Sequence, residues 1–267
     1  MRKLAIGEVQ DMQLQLMKKL HRFLEDEEIP YYLLAGSALG AVRHEGFIPW
    51  DDDIDIGMLR EDYERFLKVA NRFNTENEIL NYRNSENCDF VLTRIYFPRT
   101  KIDIASIEKT KLDKRLYMDI FPLDNVPDDA RELQEFEKKI LSKRVQIQRI
   151  DARNYGDSNI KYFFKRVVSN CLRPLRQRIL EKDEALMRTY EKIETRCVCS
   201  LCSQYSFRKQ VMPREFYGSP TLHKFEDTEF YCPENLDKYL TTLYGADYMQ
   251  VPPLDKRRKG HNIYILD

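Results

Sequence analysis

The stretch GFIPWDDDIDIGM, residues 46–58, sets Asp51, Asp52, Asp53 and Asp55 among Phe47, Ile48, Trp50, Ile54, Ile56 and Met58. Surface acidic runs are usually solvated and mixed with lysine. This one reads as a chain entering a core, where a carboxylate without a partner is costly. The alternation Asp53-Ile54-Asp55-Ile56 predicts a strand with both acids on one face and both isoleucines on the other. Side chains two positions apart on a strand point the same way at a spacing of ~6.5–7 Å. Two such carboxylates can coordinate one divalent cation, or a pair with a substrate phosphate between them. Mg²⁺ favours oxygen ligands and keeps part of its shell for water and phosphate. A third carboxylate from a neighbouring strand would complete the set. Asp119 in LYMDIFPL is preferred, as the more buried-looking strand, and Asp103 in KIDIAS is the runner-up.

A phosphate also needs donors. Gly36 permits close backbone approach, Ser37 offers a hydroxyl and a helix-start N–H, and Arg43 could reach a phosphoryl oxygen with two bonds. The order strand, Gly-Ser, helix, strand with Asp-x-Asp suits metal-assisted phosphoryl chemistry on a nucleotide. An acidic cluster alone is as often a solvated turn; the Gly-Ser upstream and the strict alternation tell against that here.

These residues need elements to hold them. Val9, Met12, Leu16, Leu20 and Phe23 recur at helical spacing over residues 8–27. YYLLAG (31–36) reads as a buried strand, and 37–46 as a short helix with Ser37 as N-cap. Residues 60–73 return to helix. EILNYR, FVLTRIYF, KIDIAS and LYMDIFPL read as strands, and 129–150 as helix. Composition shifts after DARNYGDSN (151–159). The expected organisation is therefore α/β (α+β): a mixed-sheet catalytic core over residues 1–155, and a mostly helical part over 156–267 packing on it. Lys and Arg number 44, as do Asp and Glu, so net charge gives no sign of a nucleic-acid partner. The chain opens without a signal-peptide pattern, no apolar run approaches the ~20 residues of a membrane span, and six cysteines are too scattered for a disulfide scaffold. A reducing, cytoplasmic location is expected.

LLAGSALGAVRHEGFIPWDDDIDIGMLREDYERFL (33–67) closely resembles the signature of the LicD family, which includes fukutin-related proteins and has a nucleotidyltransferase-like fold. YMDIFPLDNVP (117–127), MPREFYG (212–218), 225–253 and KRRKGH (256–261) continue the likeness over nearly the whole chain, more weakly over about 128–210. The resemblance implies transfer of a phospho-alcohol, most typically phosphorylcholine from CDP-choline, to a cell-surface glycan or its lipid-linked precursor; ribitol or glycerol phosphate are the related cargoes. It implies Mg²⁺ or Mn²⁺ on Asp53 and Asp55, with Asp119 as third carboxylate. Gly36 and Ser37 would cradle the nucleotide phosphates, while Arg43, Lys256, Arg257 and His261 would contact the diphosphate or the acceptor. The proton of the attacking hydroxyl would pass to Asp119 or Asp51. The alternatives are a nucleotidyltransferase moving a nucleoside monophosphate to a sugar or protein, and a nucleotide-binding scaffold.

Three further features invite a reading. Phe47, Trp50, Tyr96 and Phe97 could cage a quaternary ammonium, although plain core packing is preferred for them. Residues 161–182 carry seven Lys or Arg against one Glu, a net +6, on an amphipathic pattern. That suits either peripheral contact with an anionic membrane or ordinary packing. Cys197, Cys199 and Cys202, with Cys232 or His223, look like a zinc knuckle, but the spacing is unusual and buried structural thiols are preferred. His44 is read as a donor or a helix cap, and His21 as structural.

Overall fold

The computed structural model describes residues 1–73, 75–86, 88, 90–103, 113–151, 175–257 and 260–267. In chain order the strands are β1 (Arg2–Lys3), β2 (Tyr32–Leu33), β3 (Asp55–Leu59), β4 (Glu78–Leu80), β5 (Thr93–Tyr96), β6 (Thr100–Asp103), β7 (Tyr117–Asn125), β8 (Cys197–Cys199), β9 (Val211–Pro213), β10 (Thr221–Phe225), β11 (Thr228–Cys232) and β12 (Asn262–Ile265). The helices are α1 (Ile6–Asp26), α2 (Ala35–His44), α3 (Arg60–Val69), α4 (Ala130–Asp151), α5 (Arg176–Met187), α6 (Phe207–Gln210), α7 (Arg214–Tyr217) and α8 (Leu236–Tyr244).

A mixed sheet runs β2-β3-β7-β5-β4 and is extended by β8 and β9 from the far end of β7. β3 and β7 are parallel; the other neighbours are antiparallel. A parallel pair needs a long crossover, and α3 begins it directly after β3, with Glu61 and Asp62 in its positive first turn. β1, β12 and β6 form a second sheet, and β10 and β11 a hairpin. α1 buries Val9, Leu16, Met17, Leu20 and Leu24 on one face. These join the sheet residues Leu33, Ile56, Met118 and Ile120, and Ile54 just before β3, in the main core.

The C-terminal part, expected to be mostly helical, holds helices α5 to α8 but also five strands. β8 joins the main sheet, β12 lies between β1 and β6, and Tyr217, Phe225, Tyr239 and Leu240 sit in the same core as β3. A buried ion network ties α5 to the sheet. Arg60 donates from Nε and Nη2 to Asp124 at 2.7 and 2.9 Å, and from Nη1 to Glu184 at 3.1 Å. The expected boundary near 155 and most of the basic stretch 161–182 lie outside the described residues.

Candidate active site

Two registers bring the chemistry together. Asp55 stands beside Asp119 in the parallel β3–β7 pair, and Asp119 stands opposite Arg94 in the antiparallel β7–β5 pair. Laterally aligned residues on adjacent strands share a face, so Asp55, Asp119 and Arg94 form one row. All three, with Asp51 and Asp53, line a cavity of about 680 Å³. Ile54, Ile56, Met118, Ile120 and Ile95 take the opposite face and are completely buried. β3 begins only at Asp55; residues 51–54 precede it without ladder pairing. Two glutamines of α1 hold that acidic loop instead. Gln10 donates to the Asp51 carbonyl at 2.8 Å, and the buried Gln13 to the carbonyls of Tyr117 at 2.9 Å and Asp52 at 3.5 Å.

Among the described residues the cavity wall holds five carboxylates, Asp51, Asp53, Asp55, Asp113 and Asp119, against a single arginine, Arg94. Asp113 is paired with Arg115. Arg94 donates from Nε to Asp119 Oδ1 at 2.8 Å, and its guanidinium lies 4.0 Å from the Tyr117 ring centre and 4.6 Å from that of Phe90. Neither the Asp53 nor the Asp55 carboxylate accepts a hydrogen bond from a described residue. Burial, then the charges of Asp51, Asp52 and Asp119, push the Asp53 carboxyl up to about 8. Burial and the charges of Asp53, Asp119 and Asp51 raise Asp55 well above the ordinary range. Burial raises Asp119 too, with Arg94 pulling against it. Such crowding is what a divalent cation would relieve, and an all-carboxylate donor set suits Mg²⁺ or Mn²⁺.

Side-chain oxygens of Asp51, Asp52 and Asp53 lie within 4.8 Å of one another. This trio differs from the expected Asp53, Asp55 and Asp119. Asp52 is already engaged: it accepts the His261 backbone N–H at 2.5 Å and faces His261 Nδ1 at 3.3 Å. Those bonds outweigh its burial and hold its carboxyl below the usual range. Asp52 is also absent from the cavity wall, whereas His261 is on it. Of this trio Asp51 and Asp53 line the cavity, where Asp55 and Asp119 stand on the same wall but outside the group whose oxygens lie within 4.8 Å of one another.

Residues 28–153 match the family described as LicD/FKTN/FKRP, nucleotidyltransferase domain. Over 276 aligned residues the chain is 30% identical to lipopolysaccharide cholinephosphotransferase LicD of Haemophilus influenzae, and all of both chains is covered. The chain belongs to the LicD family. It is an enzyme, a LicD-type transferase. A stretch of 39 residues, 15% of this chain and 8% of theirs, is 51% identical to ribitol 5-phosphate transferase FKRP of human and mouse.

The LicD-family cavity gathers Gly36, Trp50, Asp53, Asp55, Asp119 and His261 among the expected site residues. A Cβ on Gly36 would sit 2.6 Å from Asp51 Oδ2, so a side chain here would push the Asp51 carboxylate aside. Ser37 is corrected in role. α2 starts at Ala35 with Leu34 as N-cap, and the buried Ser37 Oγ accepts the Asp55 N–H at 2.9 Å. It ties the helix to β3, so the predicted cap does not exist. Ala35 has a left-handed φ of 43°, and its N–H donates to Tyr239 Oη at 3.0 Å. Arg43 is not brought to the wall; its Nη1 donates to the carbonyls of Tyr248 and Gln250 at 2.9 and 3.3 Å. Lys256 is exposed and away from the wall, while Arg257 lies 4.3 Å over the Trp50 ring. Asp103 is exposed on β6, in the other sheet.

Core packing, the reading preferred from the sequence, holds for three of the four candidate cage residues. Phe47, Tyr96 and Phe97 are 8%, 1% and 5% exposed, packed in the core. The cavity's aromatic wall is Trp50, Phe90, Tyr117, Phe121, Tyr205, Tyr239 and Tyr244. Cys197 and Cys199 lie on β8, Cys202 Sγ meets the Val91 carbonyl at 2.9 Å, and Cys232 is on the β10–β11 hairpin. Among the described residues the only group tight enough for an ion is the acidic one, so the thiols form no zinc knuckle there. His21 is structural, bonded to Tyr31 Oη at 2.8 Å. Arg94, Gln10, Gln13, Tyr205 and Tyr244 were missed. Gln13 carried a signal, a polar residue on an apolar helix face; Arg94 carried none.

Proposed function

We propose that the enzyme moves a phospho-alcohol, phosphorylcholine first among the candidates, from a CDP-activated donor to a hydroxyl of a glycan or its lipid-linked precursor. The full-length likeness to a lipopolysaccharide cholinephosphotransferase carries this reading. The acidic cavity supports it, because a diphosphate donor needs a cation, and Asp51 and Asp53, with Asp55 and Asp119 on the same wall, would offer it oxygen ligands. Bound Mg²⁺ or Mn²⁺ would neutralise charge developing on the two phosphates. Gly36 lets the backbone at the start of α2 come close to the donor, and Arg94 holds Asp119 in place. The aromatic wall offers ring faces to a quaternary ammonium, an attraction of ~0.5–2 kcal/mol. The acceptor oxygen attacks the phosphorus bearing the alcohol. The bridging P–O bond breaks, CMP leaves with the electron pair, and the hydroxyl proton passes to Asp51 or Asp119.

Donor labelled separately on choline and on cytidine tests the assignment. Choline label in the acceptor with cytidine label in free CMP is expected. Cytidine label in the acceptor would make the enzyme a nucleotidyltransferase instead.

A further inference from the structure

We propose that Ser200 and Gln210 form a nucleobase-binding end of the cavity, away from the acid row. Register sets them side by side. β8 and β9 are antiparallel and their last pair is Cys199 with Val211, so Ser200 and Gln210 are the next residues in register beyond it. Both lie on the cavity wall, at 2% and 4% exposure. Among the described residues the Ser200 Oγ has no hydrogen-bond partner, and the Gln210 side-chain amide has none either. A buried hydroxyl left without a partner costs stability, and a ligand that bonds it recovers that cost.

Their neighbours are neutral. Ser203, Gln204 and Tyr205 share this wall and carry no charge. Ser203 Oγ accepts the Tyr205 N–H at 3.2 Å, and Tyr205 and Tyr244 bond each other through their hydroxyls at 2.8 Å. Along β7, Asp119 of the acid row and Asp124, the partner of Cys199, are five residues or roughly 16 Å apart, and Phe121 lies on the cavity wall between them. A ligand held at both ends is therefore extended, with phosphates toward the acids and a neutral group at Ser200 and Gln210. A hydroxyl and a primary amide each donate and accept. That matches the mixed edge of a base, which on cytosine sets an amino donor beside ring acceptors. The neutral wall offers a choline ammonium no carboxylate, and the two bonding residues are too deeply buried to meet a polymeric glycan. Assigning the base to a CDP-activated donor rests on the proposed function; nucleotide binding at this end does not.

Calorimetric titration of the full chain in Mg²⁺, with CMP and with ribose 5-phosphate as probes, tests this. The unaltered chain should bind CMP more tightly than ribose 5-phosphate. Ser200→Ala and Gln210→Met should each weaken CMP about three- to tenfold and leave ribose 5-phosphate unchanged. The melting temperature of Ser200→Ala should hold or rise, since no bonded hydroxyl is lost, whereas a purely structural serine would lower it. Undiminished CMP affinity in both folded variants, equal losses for the two probes, or no CMP binding by the unaltered chain overturns the proposal. A raised KM for the glycan in variants that still bind CMP fully would give this end to the acceptor instead. Selective loss of CMP in the variants, with no choline transferred by the unaltered chain, would sink the functional reading and leave this one standing.

Discussion

Replacing Arg94 with methionine removes an arginine from a wall that holds five carboxylates among the described residues. Arg94 and Asp119 are 13% and 14% exposed at their side chains, so their 2.8 Å contact is largely shielded from solvent. Breaking a buried pair from one side costs ~3–5 kcal/mol, because the remaining charge is left without compensation. A second route limits that figure. Asp119 can take up a proton, which from an unperturbed ~3.9 costs ~4 kcal/mol at neutral pH, and burial has already raised its carboxyl. The expected loss in chelator is therefore about 3–4 kcal/mol. At ~2 °C per kcal/mol for a chain of this size, the melting temperature should fall by about 6–8 °C. Saturating Mg²⁺ should at least halve the loss, since the cation would compensate the same acids. Asp119→Asn added to Arg94→Met should recover most of the stability in chelator, because no orphaned charge remains. Thermal unfolding of the four proteins, with and without Mg²⁺, completes the cycle. A loss under about 1 kcal/mol that is equal in both conditions would refute the reasoning.

Other outcomes follow from the same geometry. Gly36→Ala should displace Asp51, whose Oδ2 would be 2.6 Å from the new Cβ, and cut kcat/KM about a hundredfold with little change in melting temperature; kinetics near the native rate would contradict it. Arg60→Met should cost ~3–5 kcal/mol in chemical denaturation, because Asp124 is left buried beside Glu184 without its partner. The acids also set a pH trend. Asp53 is raised to about 8, so the folded chain binds more protons than the unfolded one between the ordinary carboxylate range and that value. Stability in chelator should therefore fall as pH rises through that window, and Mg²⁺ should flatten the decline. Melting curves that stay parallel across pH with and without Mg²⁺ would count against the acids binding a cation.

What could be read from the sequence depended on how local its cause was. The two-residue period brought Asp53 and Asp55 to one cavity in expectation, although only Asp55 lies on β3, and the buried environment of Asp119 follows from its apolar neighbours. Arg94 acquires its role only through the pairing of β5 with β7, which nothing near it in the chain announces. His261 meets Asp52 across 209 positions, and Tyr239 meets Ala35 across 204, for the same reason. Ser37 shows the opposite failure. Its type and place suggested a cap, but Tyr239 takes the Ala35 N–H and the helix starts two residues earlier, leaving the hydroxyl to accept from β3. The core packing preferred for Phe47, Tyr96 and Phe97 was legible from their apolar surroundings, while Tyr205 and Tyr244, bonded to each other at 2.8 Å on the cavity wall, come from segments far from the acids in sequence.

The most direct test of the acidic cavity is an Mn²⁺ titration followed by electron paramagnetic resonance, on the unaltered chain and on Asp53→Asn and Asp55→Asn. The unaltered chain should hold the ion stoichiometrically. Each variant should lose at least about tenfold in affinity while its circular dichroism stays unchanged. Equal Mn²⁺ affinity in all three folded proteins would contradict the account.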